Sequence, residues 1–253
     1  MKKHRSSQFL AICTAAVLAL SVPAWASQVS ITPLDTGNTT SSQSQSGASE
    51  PSTAQNTSGQ TVDISSITKP TVASQGAVLL NAADGSVLFS KNGDTTYYPA
   101  SITKLMTALL VAENCNLDDT VTFSATATTN LESGAVSIGM AEGDTMTVRQ
   151  CLYALLLKSA NEVGNALAEH VAGSNAAFAE KMNAKAASLG CTNTHFANPH
   201  GLNDPNHYTT PHDMALIARA AFANDIVKTV ASTRTYTLPA TKNNPSGLTV
   251  TMG

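Results

Sequence analysis

Ser101 and Lys104 are three residues apart in Ser-Ile-Thr-Lys-Leu-Met-Thr-Ala-Leu-Leu-Val-Ala, twelve residues in which the lysine is the only charge. A helix this apolar is expected to be buried nearly all round. At helical spacing the two residues are about 60° apart on one face, one turn from each other, which brings the ammonium within reach of the hydroxyl. Burying an ammonium is costly unless it is paired, and a lowered pKa relieves the cost. A neutral amine beside a serine hydroxyl is a general base beside a nucleophile. Pro99 predicts that Ser101 sits at the helix start, where free N–H groups and the helix dipole favour a developing oxyanion. The alternative for the pair is a capping serine and a snorkelling lysine, with no chemistry.

The same four letters occur at Ser66-Ile67-Thr68-Lys69, but Pro70 bars a helix there and the copy is read as chance. A second polar pair, Ser159 and Asn161 in Ser159-Ala160-Asn161, falls between two apolar helical stretches, so its side chains are presented at a helix junction. Ser90-Lys91-Asn92 has the same outline but lies where a hairpin ends, and is set aside.

The run Tyr98 to Ala108 closely resembles the nucleophile segment of the D-alanyl-D-alanine carboxypeptidases, the low-molecular-mass penicillin-binding proteins. The likeness continues through Glu142-Gly143-Asp144, Thr147-Val148-Arg149, Leu155 to Asn161, Phe196 to Leu202 and His207 to Ala215, in consistent order from about Gly76 to Ala223. It implies an α+β fold of the penicillin-binding, β-lactamase-like transpeptidase type: an antiparallel sheet flanked by helices, with a helical subdomain. It also implies removal of the terminal D-alanine from the peptidoglycan pentapeptide through an acyl-enzyme on Ser101, with Lys104 as base and the Ser101 N–H as one oxyanion donor. Ser159 would relay a proton to the leaving amine, and the Asn161 carboxamide would bind substrate and lysine. The implied partners are the D-Ala-D-Ala stem peptide and β-lactam antibiotics as covalent inhibitors, with neither cofactor nor metal.

The family's third element, Lys-Thr-Gly on a strand, does not occur after Asn161. Lys228-Thr229-Val230 is rejected because it follows a helical pattern and carries a branched side chain where a strand must approach the substrate. The expectation is a catalytic domain whose closing strands, and any C-terminal segment for peripheral membrane association, lie beyond residue 253. A serine β-lactamase and a non-catalytic exported wall-binding or antibiotic-sensing module are the other readings. The first also needs a Glu-x-x-Leu-Asn segment, which is absent here; Glu162 is ascribed to the helix dipole.

The elements that must position these residues follow from patterning. Lys2, Lys3 and Arg5, the apolar run Phe9 to Val22 and Ala24-Trp25-Ala26 read as a signal peptide over 1–26, and hence as export to the cell envelope. Its removal leaves 11 Lys and Arg against 17 Asp and Glu, a net charge of −6, which argues against nucleic acid as a partner. From Asp35 to Gln60, 21 of 26 residues are Ser, Thr, Gln, Gly or Asn, so 27–68 reads as a disordered tether before a domain over 69–253.

Within that domain a hairpin is expected over Gln75 to Lys91. Helices are expected from Ser101, over Val148 to Leu157, Glu162 to Val171, Asn175 to Leu189 and Pro211 to Ala223, and strands at Thr235 to Leu238 and Leu248 to Met252. Cys115, Cys151 and Cys191 are too widely spaced for a metal set and read as buried small hydrophobes. His195, His200, His207 and His212 fit no metal-ligand spacing and read as loop-packing or hydrogen-bonding residues.

Overall fold

The computed structural model describes residues 70–129 and 131–252, with the backbone of two short strands before them. These are β1 (Ala54–Gln55) and β2 (Thr61–Val62), which pair antiparallel inside the stretch read as a tether. The leader, the rest of the tether and the Ser66 to Lys69 copy lie outside the described residues.

The expected hairpin is formed by β3 (Ala77–Leu80) and β4 (Val87–Lys91). Its turn closes through Gly85, at φ +82, whose N–H reaches the Asn81 carbonyl at 2.8 Å. Arg219 of α6 (Pro211–Ala223) donates to the Ala82 and Ala83 carbonyls, tying the turn to the helix that packs on β3.

At the centre lies α1 (Lys104–Asn114), packed against α3 (Val148–Leu157), α4 (Asn161–Ala172), α5 (Asn175–Ser188), α6 and α7 (Asp225–Ala231). This position accounts for its apolar sequence: Met106 to Val111 are all buried, and neighbouring helices cover it on several sides. The helix does not begin at Ser101 as expected. Ala100–Thr103 form a 3-10 turn and the α-helix starts at Lys104. Ala100 has φ +51, a conformation that cannot continue into a right-handed helix, so the chain enters through the tighter turn.

Helix ends follow local chemistry. Thr147 and Gln150 form a reciprocal capping box at the start of α3, Thr210 caps α6 ahead of Pro211, Ser174 caps α5 and Asn224 caps α7. The sequence pattern did not anticipate α2 (Ala125–Thr129) or the pair β5 (Thr120–Thr122) and β6 (Thr145–Thr147); all three are too short for a clear period. The pair β7 (Thr235–Leu238) and β8 (Leu248–Thr251) matches expectation and packs on α3, where Tyr236 stacks on Tyr153 at 3.9 Å between ring centres.

Helices and antiparallel strands thus give the expected α+β class. Among the described residues the strands form four two-stranded ladders rather than one continuous sheet, because no ladder shares a hydrogen-bonded edge with another. No described helix is long and apolar enough to cross a membrane.

Candidate active site

Two segments distant in sequence converge on Ser101: its own entry into α1 and the break between α3 and α4. The 3-10 turn presents its hydroxyl, which remains exposed; the first residue of α1 brings Lys104; the break between α3 and α4 brings Ser159 and Asn161. Lys104 Nζ is 3.1 Å from Ser101 Oγ, and Ser159 Oγ is 3.0 Å from it. All four residues singled out in the sequence therefore meet at one point.

Local backbone explains the presentation. Ser159 has φ +62, an unusual conformation for a residue with a side chain, and Ala160 N–H reaches back to the Ala154 carbonyl at 3.3 Å. The reversal ends α3, starts α4 at Asn161, and leaves the Ser159 hydroxyl facing Ser101. Three such positive-φ residues occur among the described non-glycines, and two of them, Ala100 and Ser159, flank this site.

Lys104 is 2% exposed, yet every acceptor around it is neutral: Ser101 Oγ, Asn161 Oδ1 at 2.8 Å and the His200 carbonyl at 2.8 Å. Burial lowers its pKa to about 8, and the nearby Glu162 carboxylate limits the fall. An unprotonated amine has two hydrogens and one lone pair. With Asn161 and His200 accepting the hydrogens, the lone pair is left toward the Ser101 hydroxyl, which is the arrangement a general base requires.

The His200 carbonyl was not among the residues read from sequence. It is placed by the loop Phe196 to Leu202: Asn198 Oδ1 accepts from the His200 and Gly201 amides, Asn198 Nδ2 donates to the Leu202 carbonyl, and Thr107 Oγ1 donates to the Pro199 carbonyl at 2.6 Å. Gly201, at φ +88, lies so close to Ala100 that a Cβ would overlap the Ala100 carbonyl oxygen. The sequence signals for this loop were the family likeness over Phe196 to Leu202 and the turn-forming residues Asn198, Pro199 and Gly201, neither of which singles out a carbonyl.

His207 braces the 3-10 turn that carries Ser101. Its Nδ1 accepts from the Ala197 amide at 3.0 Å, so its Nε2 carries the proton and donates to Thr103 Oγ1 at 2.8 Å. Burial pushes the pKa of His207 down to about 4 and, with the Lys104 charge adding to the effect, that of His200 to about 3. His195 bonds the Asn206 carbonyl, and His212 lies 3.7 Å from Asp213 Oδ1. The four histidines thus serve separate contacts, three in the segment between α5 and α6 and His212 in the first turn of α6.

Glu162 corrects the expectation from sequence. It does not simply complement the α4 dipole: it is 1% exposed, and its carboxylate accepts from Ser137 Oγ and from the Ile138 and Gly139 amides. Cys151 is buried as expected, whereas Cys115 and Cys191 are half-buried. Lys228-Thr229-Val230 lies inside α7 and cannot form the strand a third motif needs. Lys91 and Asn92 of the set-aside Ser-x-Asn donate to carbonyls of Val72, Ser74 and Gln75, away from Ser101.

A profile of the peptidase family S11, the D-alanyl-D-alanine carboxypeptidases, matches residues 63–248. The chain belongs to this family. A D-alanyl-D-alanine carboxypeptidase of Streptomyces sp. (strain K15) is 39% identical over 183 residues, covering 68% of this chain and 62% of that one. The carboxypeptidase DacF of Bacillus subtilis is 38% identical over 150 residues, covering 57% and 38%. The crystal structure of a D-alanyl-D-alanine carboxypeptidase from Mycobacterium tuberculosis superposes with a TM-score of 0.67 at 31% identity, covering 74% of this chain and 69% of that one. The chain therefore spans about three-fifths and two-fifths of the two curated carboxypeptidases. The family match includes all four residues clustered at Ser101.

Proposed function

We propose that the protein is an exported serine-type D-Ala-D-Ala carboxypeptidase of the cell envelope, with residues 1–26 a signal peptide, 27–68 a tether and 69–253 catalytic domain. One observation carries the mechanism: a buried lysine with neutral acceptors, its nitrogen 3.1 Å from the exposed Ser101 hydroxyl.

Ser101 Oγ attacks the carbonyl between the two D-alanines while Lys104 Nζ takes its proton. The Ser101 N–H serves as one oxyanion donor. As the tetrahedral intermediate collapses, the proton moves from Lys104 to the leaving amine with Ser159 as relay, and D-alanine departs. Water then hydrolyses the ester on Ser101 with the lysine again as base. Asn161 holds the lysine through Oδ1. Its Nδ2 donates one hydrogen to the Val136 carbonyl at 2.9 Å and offers the other to the substrate amide. A β-lactam acylates the same serine. Peripheral membrane association through a further segment belongs to the same proposal.

Membership of the carboxypeptidase family speaks against a β-lactamase, and the Glu-x-x-Leu-Asn segment that a class A enzyme needs does not occur after Asn161. Release of D-alanine from a D-Ala-D-Ala peptide, compared with turnover of penicillin, tests the reading. Faster turnover of penicillin than of peptide would overturn it, and a protein that binds but turns over neither would be a non-catalytic module.

A further inference from the structure

Glu162 is a carboxylate in the core beside a lysine with which it makes no direct ion pair. A charge this deep persists only if its surroundings compensate it. Three donors converge on one oxygen, Oε1: Ser137 Oγ at 2.6 Å, Ile138 N at 2.6 Å and Gly139 N at 3.1 Å. The other oxygen, Oε2, is buried without a hydrogen-bond partner among the described residues. An apolar residue of similar volume would avoid that cost, so the position is a poor choice on stability alone.

What Glu162 grips is informative. Two residues before Ile138, the Val136 carbonyl accepts from both the Asn161 amide, at 3.0 Å, and Asn161 Nδ2, at 2.9 Å. The second bond fixes which end of the carboxamide faces Lys104. Rotated by half a turn, Asn161 would present its NH₂ to the lysine and withdraw an acceptor. On the far side of the strap, Asn244 Nδ2 and Asn243 Nδ2, from the turn between β7 and β8, donate to the Ile138 and Gly139 carbonyls, each at 2.8 Å. Residues 136–139 are thus held from both sides, with Glu162 on the inner face.

We propose that Glu162 is a positioning residue for acyl transfer: it fixes the Val136–Gly139 strap, which holds the Asn161 carboxamide oxygen on Lys104. The inference rests on the assignment of Ser101 and Lys104 as nucleophile and base. The groups facing Lys104 are Ser101 from the 3-10 turn, Asn161 and Glu162 from α4, and His200 from the loop before α6, with His207 behind it. Of these, Glu162 carries the negative charge and the two histidines are neutral at pH 7. Its carboxylate therefore also favours the lysine ammonium.

Two variants separate reach from charge. Glu162→Gln keeps the shape and an acceptor but removes the charge; Glu162→Asp keeps the charge and retracts by one methylene. The measurement, on the folded full-length protein, is penicillin acylation of Ser101 across pH, resolved into the saturating rate and the half-saturating concentration, with Tm recorded alongside. Glu162→Gln is expected to lower the saturating rate by about ten- to a hundredfold and to move the acid limb of the profile to lower pH. Glu162→Asp is expected to lower the rate with the limb at the parent position. A Gln variant within about twofold of the parent rate, with an unmoved limb, overturns the inference. If neither variant folds, Asn244→Ala tests the strap from its outer side, where a fall in saturating rate supports the inference and an unchanged rate overturns it. An unlabelled parent defeats the catalytic assignment itself; a labelled parent with indifferent variants defeats this inference alone.

Discussion

Lys104 Nζ and Asn161 Oδ1 lie 2.8 Å apart across 57 residues of sequence, at the adjoining starts of two packed helices. The contact is buried, and it makes the amine directional. One N–H is committed to Asn161 and one to the His200 carbonyl, so the remaining site on nitrogen faces Ser101. An amine held this way would need no reorganisation before taking a proton in the proposed role of base.

Ser101→Ala in the full-length protein is expected to abolish covalent labelling by a fluorescent penicillin, with Tm close to the parent because the hydroxyl is exposed. Ser66→Ala, in the other Ser-x-x-Lys copy, is expected to label like the parent. Equal labelling of the Ser101 variant and the parent would remove the nucleophile from the scheme.

Acylation is expected to rise with pH through about 8, because the base must be unprotonated and burial has lowered Lys104 to that value. Below it the ammonium dominates and the rate falls about tenfold per pH unit. Lys104→Arg is expected to be nearly as inactive as Lys104→Ala, since a guanidinium does not give up its proton in this range. A flat profile from pH 6 to 9 in the parent would contradict the assignment.

Acid stability reports on the histidines of the Phe196–Leu202 region. With folded pKa values of about 4 for His207 and about 3 for His200, the unfolded chain binds more protons than the native state below the ordinary histidine value of 6.5. Stability is therefore expected to fall as pH drops from 6.5 toward 4, and the contribution is gone below the folded values. His207→Gln is expected to flatten part of this slope while lowering Tm at pH 7, as Thr103 and Ala197 lose their shared partner. Thermal unfolding of both proteins between pH 7 and 4 checks it; parallel slopes would argue against a neutral His207.

Gly201→Ala is expected to cost more than about 2 kcal/mol and most of the acylation rate, because the new Cβ meets the carbonyl of Ala100, the residue before Ser101. Gly190→Ala provides the contrast. Gly190 has φ +87 but no atom within 4 Å of its Cβ position, so only backbone strain of about 1 kcal/mol applies there. Denaturant unfolding of the two variants isolates the clash; equal losses would mean that the Gly201 contact carries no weight.

Much of this protein was legible before folding was considered. The helices expected over Val148 to Leu157 and Pro211 to Ala223 form as read, and Thr147 with Gln150 and Thr210 ahead of Pro211 cap them, because a cap acts within four residues of its own backbone. Short segments without a period, such as Ala125–Thr129 and the β5–β6 pair, were not legible, since packing against α4 and α3 rather than local preference holds them. The Ala100 conformation that converts the entry of α1 into a 3-10 turn was also invisible, because alanine carries no mark of a positive φ imposed from outside.

The amino-acid order alone made candidates of Ser101 with Lys104 and of Ser159 with Asn161, because a lone lysine three residues on in an apolar run and a polar break between apolar runs are local properties. Only the tertiary structure decided that Asn161 and the His200 carbonyl flank the lysine nitrogen, and that Glu162 turns inward onto residues 137–139. The reason is physical. A backbone carbonyl looks the same in every residue, and a glutamate in the first turn of a helix can face water or the core. The packing of α1 against α4, set by their buried apolar faces, chooses which carbonyl and which carboxylate come into reach.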